Sequence, residues 1–238
     1  MSLYVFFVTG QSNSQGYGGY ADICDARDHC DHRILSWNIN TNAWEVANLF
    51  SEIGTKPANN QCFAFHFAKE LLKIYPGIYI GLIVIGCPGT SICNWTIPNP
   101  FLSKSSVGKV DTGQFFYTSA EHIKNALAVA NGAMLNGILW HQGEADADEE
   151  YLWYYQRITQ VIQQYRNFFG HIPFIVGELL DYSLLNKQNF ILRHLNNLPG
   201  VRCANLAQCQ HSGDAVHMST EGHRFMGKAY AERLIELY

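Results

Sequence analysis

Charge is what this chain has least of. Asp, Glu, Lys and Arg together make up 15% of its 238 residues, against about a quarter in an ordinary globular chain. With a net charge of −4 and no block of Lys or Arg, it lacks the electrostatic footprint of a nucleic-acid binder. No apolar run approaches the ~18 residues that a membrane-spanning helix needs. No basic-then-apolar leader opens the chain. Met1-Ser2-Leu3 is compatible with a start from which a leader has been removed, so localisation stays open. Also absent are the Gly-x-Ser-x-Gly elbow, the phosphate loop and the dinucleotide fingerprint. Their absence argues against nucleotide cofactors and the elbow-type hydrolases. With so few charges, the surface must rest on Asn, Gln, Ser, Thr and Tyr, a composition suited to neutral, hydroxyl-rich ligands.

Cysteine is the one type in excess. Six of the seven form pairs of equal spacing: Cys24/Cys30, Cys87/Cys93 and Cys203/Cys209. Disulfides within these pairs would close small loops and stabilise little. The alternative is buried free thiols acting as small hydrophobes. Cys24, His29, Cys30 and His32 are the only cluster of metal-ligating types, and Cys-x5-Cys-x-His matches no usual zinc spacing. No metal and no other cofactor is expected. Asn94-Trp95-Thr96 is a formal glycosylation triplet.

No linker, repeat or low-complexity block divides the chain, and residues 1–238 read as a single domain with a sizeable core. Apolar runs alternate with amphipathic ones. Buried strands are expected at Leu3–Val8, Ile78–Ile85, Gly137–Trp140 and Pro173–Val176, with a short fifth at Val201–Ala204. Helical spacing covers Ala64–Tyr75, Ser119–Ala130, Asp148–Phe169, Lys187–Leu195 and Ser219–Leu237, the last with Ser219 as N-cap. Strand–helix alternation implies α/β architecture, a mostly parallel five-stranded sheet between two helical layers.

Ligands of such folds gather beyond the carboxyl ends of the strands. Four polar segments fall on that rim. Gly10-Gln11-Ser12-Asn13 follows the first strand, Gly86 to Ser91 the second and His141 to Asp146 the third. Asp214-Ala215-Val216-His217 precedes the last helix. Ser12 is a candidate nucleophile, although a serine after a strand is also a common helix N-cap. Asp214, three residues before His217, can turn back to the imidazole Nδ1–H and leave Nε2 free to take the serine proton. The amide of Gln142 can donate to a developing oxyanion, and Gly143 lets the backbone turn there. On the Gly86–Ser91 loop Pro88 has no N–H, so the Gly89 N–H is the expected second donor. Glu144 and Asp146 are candidates for supporting hydrogen bonds. Tyr17, Trp95 and Trp153 are candidates for stacking on a sugar, or else core and rim aromatics.

Gly-Gln-Ser-Asn, Pro88-Gly89-Thr90, His-Gln-Gly-Glu and Asp-x-x-His, in this order, resemble the motif blocks of the SGNH hydrolase superfamily. More narrowly, the chain resembles carbohydrate esterase family 6 and the sialic-acid-specific acetylesterases, over residues 4 to about 230. The family commonly has Gly where this chain has Pro88. The resemblance implies a three-layer α/β/α, flavodoxin-like fold and metal-free removal of O-acetyl groups from a carbohydrate of acetyl-xylan, pectic or sialic-acid type. It implies Ser12 as nucleophile, His217 as base and Asp214 as its orienter. The oxyanion hole would comprise the Ser12 and Gly89 N–H groups and the Gln142 amide, supported by Gln11, Asn13 and Glu144. The expected partner is a small-molecule or oligosaccharide acetyl ester. Two alternatives are a catalytically silent carbohydrate-binding protein on the same fold and a lipid or thioester hydrolase of the same superfamily.

Overall fold

The computed structural model describes residues 2–180 and 186–238, so Met1 of the opening tripeptide lies outside the described residues. One seven-stranded sheet organises the chain, in the order β3-β2-β4-β1-β5-β6-β7. The strands are β1 (Leu3–Gly10), β2 (Ile34–Asn38), β3 (Ala43–Val46), β4 (Tyr79–Gly86), β5 (Leu135–His141), β6 (Phe174–Gly177) and β7 (Val201–Ala204). All pairings are parallel except β2 with β3, which is antiparallel. The helices are α1 (Phe63–Ile74), α2 (Gln114–Val129), α3 (Tyr151–Phe169), α4 (Asn186–His194) and α5 (Thr220–Ile235).

The expected sheet of five strands is therefore corrected to seven. The two additional strands, β2 and β3, form a hairpin at the sheet edge. They are short and of mixed polarity, and Val46 is half exposed. They are held by long-range contacts. Trp37 packs edge-on against Trp44 at 5.4 Å, and Trp44 Nε1 donates to the Ala126 carbonyl of α2. Helix α2 begins at Gln114, five residues before the expected start, behind a left-handed Gly113 that offers no side-chain cap. Ser219 caps α5 as expected, accepting the Gly222 N–H at 3.1 Å.

The continuous apolar run of β1 serves two cores, because successive side chains point to opposite faces of a sheet. Val5 and Phe7 face a layer containing Phe116 and Ile123 of α2 and Ile158 and Tyr165 of α3. Phe6 and Val8 face Phe63 and Phe67 of α1 and Met226 and Tyr230 of α5. Both faces are thus sealed, and polar function is left to the strand ends. There β1 lies between β4 and β5, with Gly10 level with Gly86 on one side and His141 on the other.

Gly10 is where this arrangement is tightest. Its φ of +136° is a region that side chains disfavour, and a Cβ there would lie 1.8 Å from the His141 carbonyl oxygen. That carbonyl accepts the Gln11 N–H at 2.9 Å. Gly10→Ala must force β1 away from β5 and should cost at least about 3 kcal/mol, from backbone strain together with overpacking. Urea unfolding measures it; a loss under 1 kcal/mol would mean that the two strand ends are free to part.

Candidate active site

Three strand-end segments meet beyond Gly10. Ser12 opens a short 3-10 turn (Ser12–Gln15) directly after β1. Its Oγ lies 2.9 Å from His217 Nε2. On the other side of the ring, His217 Nδ1 is 2.6 Å from Asp214 Oδ2. The second Asp214 oxygen accepts the N–H groups of Val216 (3.0 Å) and His217 (2.8 Å). Burial opposes charge on Asp214, but the His217 N–H, its ring and the Val216 N–H outweigh it and hold the carboxyl far below the usual range. An ionised Asp214 fixes the proton on Nδ1 and leaves Nε2 as the acceptor for the serine hydroxyl.

The loop carrying these residues is itself locked. His211 Nδ1 accepts the Gly213 and Ala215 N–H groups at 2.9 and 3.3 Å, and Ser212 N–H donates to the His217 carbonyl. Ala215 sits at φ +61°, in the left-handed region.

Asn13 holds this loop to the turn that carries Ser12. Its Nδ2 donates to Glu144 Oε1 at 2.9 Å and to the Val216 carbonyl at 3.0 Å, and its Oδ1 accepts the Met218 N–H at 2.9 Å. The His217 backbone is thereby gripped on both sides. Gln11 ties the β5 end to the same place, its Oε1 accepting the Gly143 and Ala145 N–H groups. Gly143, at φ +151°, makes the sharp turn that brings them there. Burial opposes ionisation of Glu144, yet His141 beside it and the Asn13 amide hold its carboxyl below the usual value. His141 is fully buried, 3.2 Å from the Tyr230 hydroxyl and 3.4 Å from Glu144 Oε1. Its Nε2 and Glu144 Oε2 have no hydrogen-bond partner among the described residues.

Gln142 is completely buried, with both ends of its amide engaged. Nε2 donates to Asp146 Oδ2 at 2.6 Å and, more weakly, to the Thr90 carbonyl at 3.3 Å. The Tyr154 hydroxyl donates toward Gln142 Oε1 and the Gln142 carbonyl. Burial, with Asp146 nearby, pushes the Tyr154 phenol well above its usual pKa and keeps it a donor. Gln142 thus reaches the Gly86–Ser91 loop through Thr90. Gly89 is exposed on that loop, at φ +68°.

The chain matches the carbohydrate esterase, sialic acid-specific acetylesterase family model over residues 2–236. The chain belongs to that family. This esterase is accordingly a carboxylic ester hydrolase of the carbohydrate-acetylesterase class. Among solved structures, it is similar to a protein from Arabidopsis thaliana, with a TM-score of 0.81, 19% identity and 98% of each chain covered. It is similar to a carbohydrate acetylesterase from Xanthomonas citri at a TM-score of 0.68 and 18% identity, covering 98% of this chain and 56% of that one. A carbohydrate acetylesterase from Sinorhizobium meliloti superposes with a TM-score of 0.58 at 11% identity, covering 99% of this chain and all of that one. At these identities the structures speak for the fold. No curated protein sequence matches the esterase.

Not every candidate belongs to the site. Trp95 and Trp153 are core residues, each 1% exposed; Trp95 donates to Thr9 Oγ1 and Trp153 packs under the Arg157 guanidinium. Tyr17 is exposed on the rim, its ring 6.0 Å from that of His217. All seven cysteines are free; Cys24 and Cys30 are exposed, Cys87 half-buried and the other four buried. No group of three or more potential metal ligands occurs among the described residues, and His29 Nε2 bonds the Ile23 carbonyl. No helix among them is long and apolar enough to cross a membrane. Tyr154 was not foreseen as a site residue. Buried at helical spacing in α3, it reads from sequence as an ordinary core aromatic.

The Asn13 clip is open to test. Asn13→Asp sets a second carboxylate against Glu144 and removes the N–H that holds Val216. It should lower stability to urea by about 2–4 kcal/mol, more than Asn13→Ala, since uncompensated buried charge costs more than a missing bond. An Asp variant as stable as the Ala variant would show that the clip does not depend on which atoms face Glu144.

Proposed function

We propose that this esterase removes O-acetyl groups from a carbohydrate by nucleophilic catalysis, with Ser12 as nucleophile, His217 as general base and Asp214 as its orienter. The observation that carries the reading is the unbroken hydrogen-bonded chain from Ser12 Oγ through His217 to Asp214, at 2.9 and 2.6 Å. The two partners of Ser12 come from a loop about 200 residues away in sequence. Their meeting in this order supports a catalytic role over an ordinary capping serine.

Ser12 Oγ attacks the acetyl carbonyl carbon while its proton passes to His217 Nε2. The carbonyl oxygen becomes an oxyanion, received by the N–H groups of Ser12 and Gly89 and by the Gln142 amide. For Gln142 the exchangeable contact is the long bond to Thr90; the short bond to Asp146 stays. Collapse of the tetrahedral intermediate expels the sugar oxygen, which takes the proton from His217. Water then attacks the acetyl-enzyme, giving its proton to His217, and a second collapse releases acetate and restores Ser12. The sugar rests on the rim beside Tyr17, with acetylated xylan, pectic sugars and sialic acids as the substrate classes to compare.

Acetate release from a panel of these glycans identifies the substrate. Ser12→Ala and His217→Ala should each lower kcat by about 10⁴-fold or more, and the double variant should be little worse, because the residues act as one unit. Effects that multiply would remove them from a common mechanism. Gln142→Glu, nearly isosteric but without the N–H, should lower kcat by at least about 10²-fold with little change in KM. Wild-type turnover in a folded Gln142→Glu protein would leave the hole to backbone amides alone.

A further inference from the structure

Lys109 has no part in the chemistry above, yet it is bound to the site's framework. It lies in residues 103–111, a loop without helix or strand. Its ammonium donates to three oxygens of the turn after β5: the Ala145 carbonyl at 2.8 Å, Asp146 Oδ1 at 3.1 Å and Asp148 Oδ1 at 2.9 Å. Arg157 anchors the end of the loop through a two-pronged bond to Asp111. Asp146 is fully buried. Its other oxygen, Oδ2, accepts the Ile92 N–H at 2.8 Å and the Gln142 amide at 2.6 Å. A chain of contacts therefore runs from a half-buried cation, through a buried carboxylate, to the amide assigned to the oxyanion.

The two ends of a primary amide have nearly the same shape, so packing alone does not choose which end faces a substrate. A carboxylate can only accept. Asp146, with the Tyr154 hydroxyl on Oε1 at the other end, therefore keeps the NH2 end of Gln142 toward the Thr90 side, because the reverse orientation would press two acceptors together in a buried place. The same carboxylate carries a negative charge close to where an oxyanion would form, and a buried like charge opposes it. Lys109 on Oδ1, shared with Asp148 at 2.9 Å and Glu149 at 4.0 Å, offsets part of that charge while leaving Oδ2 free to hold the amide.

We propose that Lys109 and Asp146 are a positioning pair for the oxyanion-stabilising amide: Asp146 holds the NH2 end of Gln142, and Lys109 offsets the Asp146 charge so that it opposes the transition state less. This rests on the reading of Gln142 as an oxyanion donor. The pair brings the 103–111 loop into the catalytic framework although neither side chain touches the substrate.

Steady-state hydrolysis of nitrophenyl acetate by a double-mutant cycle tests the pair. Asp146→Asn should lower kcat about 10–100-fold with KM within about twofold, the size usual for residues that orient a reacting group. In a Gln142→Ala background the same change should have less than about threefold further effect, because Asp146 acts through Gln142. Lys109→Met should lower kcat about tenfold, and Lys109→Arg, which keeps the charge, should recover most of it. Should Asp146→Asn fail to fold, the two Lys109 variants decide the question, at a side chain only 21% exposed but on the surface side of the pair. Multiplying effects of Asp146→Asn and Gln142→Ala, or wild-type kcat in Lys109→Met, overturn the pair. Ser12→Ala run alongside separates the two levels. If hydrolysis survives it, the catalytic reading falls and the pair with it; if hydrolysis is lost while the Asp146 and Gln142 effects multiply, only the pair falls.

Discussion

The side-chain amide of Asn13 joins the three segments on which everything at this site depends. It belongs to the turn after β1, it donates to Glu144 in the turn after β5, and it grips the loop before α5 at Val216 and Met218. Those segments carry the serine, the glutamine and the histidine. Without the clip, the loop bearing His217 would be held to Ser12 by one hydrogen bond between side chains. With it, the imidazole is placed by backbone, and the 2.9 Å contact to Ser12 follows from the fold.

The clip works because the strand ends are already in place. Gly10 sits against the His141 carbonyl, and the Gln11 and Cys87 N–H groups extend the β1 ladders to His141 and Gly10 past the last strand residues. A parallel sheet sealed on both faces by helices leaves its carboxyl edge as the place where polar groups can gather. There the groups are satisfied mainly by one another, which gives short bonds and fixed rotamers in place of a flexible polar surface.

Much of this was legible in the sequence, for local reasons. β1, β4 and β5 are built on continuous apolar stretches (Leu3–Val8, Ile78–Ile85 and Gly137–Trp140), so their existence and order could be read directly. The rim motifs are contiguous, so Ser12, Gln142, Asp214 and His217 stood out together. The β2–β3 hairpin was not legible, because it is short, lies at an edge and is held by Trp44 reaching α2, a contact with no periodic signature. The start of α2 was missed because Gly113 supplies a left-handed turn and no capping side chain. Tyr154 and Lys109 were hidden for a further reason. Their roles lie in which atom they face, and that is set by residues 12 and 37 positions away.

Glu144 and Asp146 follow one rule at two points of the same turn. Each is a buried carboxylate whose oxygen accepts from the NH2 end of a primary amide, Asn13 for one and Gln142 for the other. A carboxylate has no donor to offer, so it removes the two-fold ambiguity that an amide would otherwise keep. Burying two negative charges to settle two orientations is costly unless each is answered by hydrogen bonds or a cation. Asp146 is answered by Lys109 and the Ile92 N–H, and Glu144 by Asn13 with His141 beside it. An apolar filling of the same turn would avoid that cost but would leave Asn13 oriented only by Val216 and Met218, and Gln142 only by Tyr154 and the long bond to Thr90. In this turn, stability has been spent on direction: the Asn13 amide holds the His217 loop against the turn of Ser12, and the Gln142 amide keeps its NH2 end toward Asp146 and the Thr90 carbonyl.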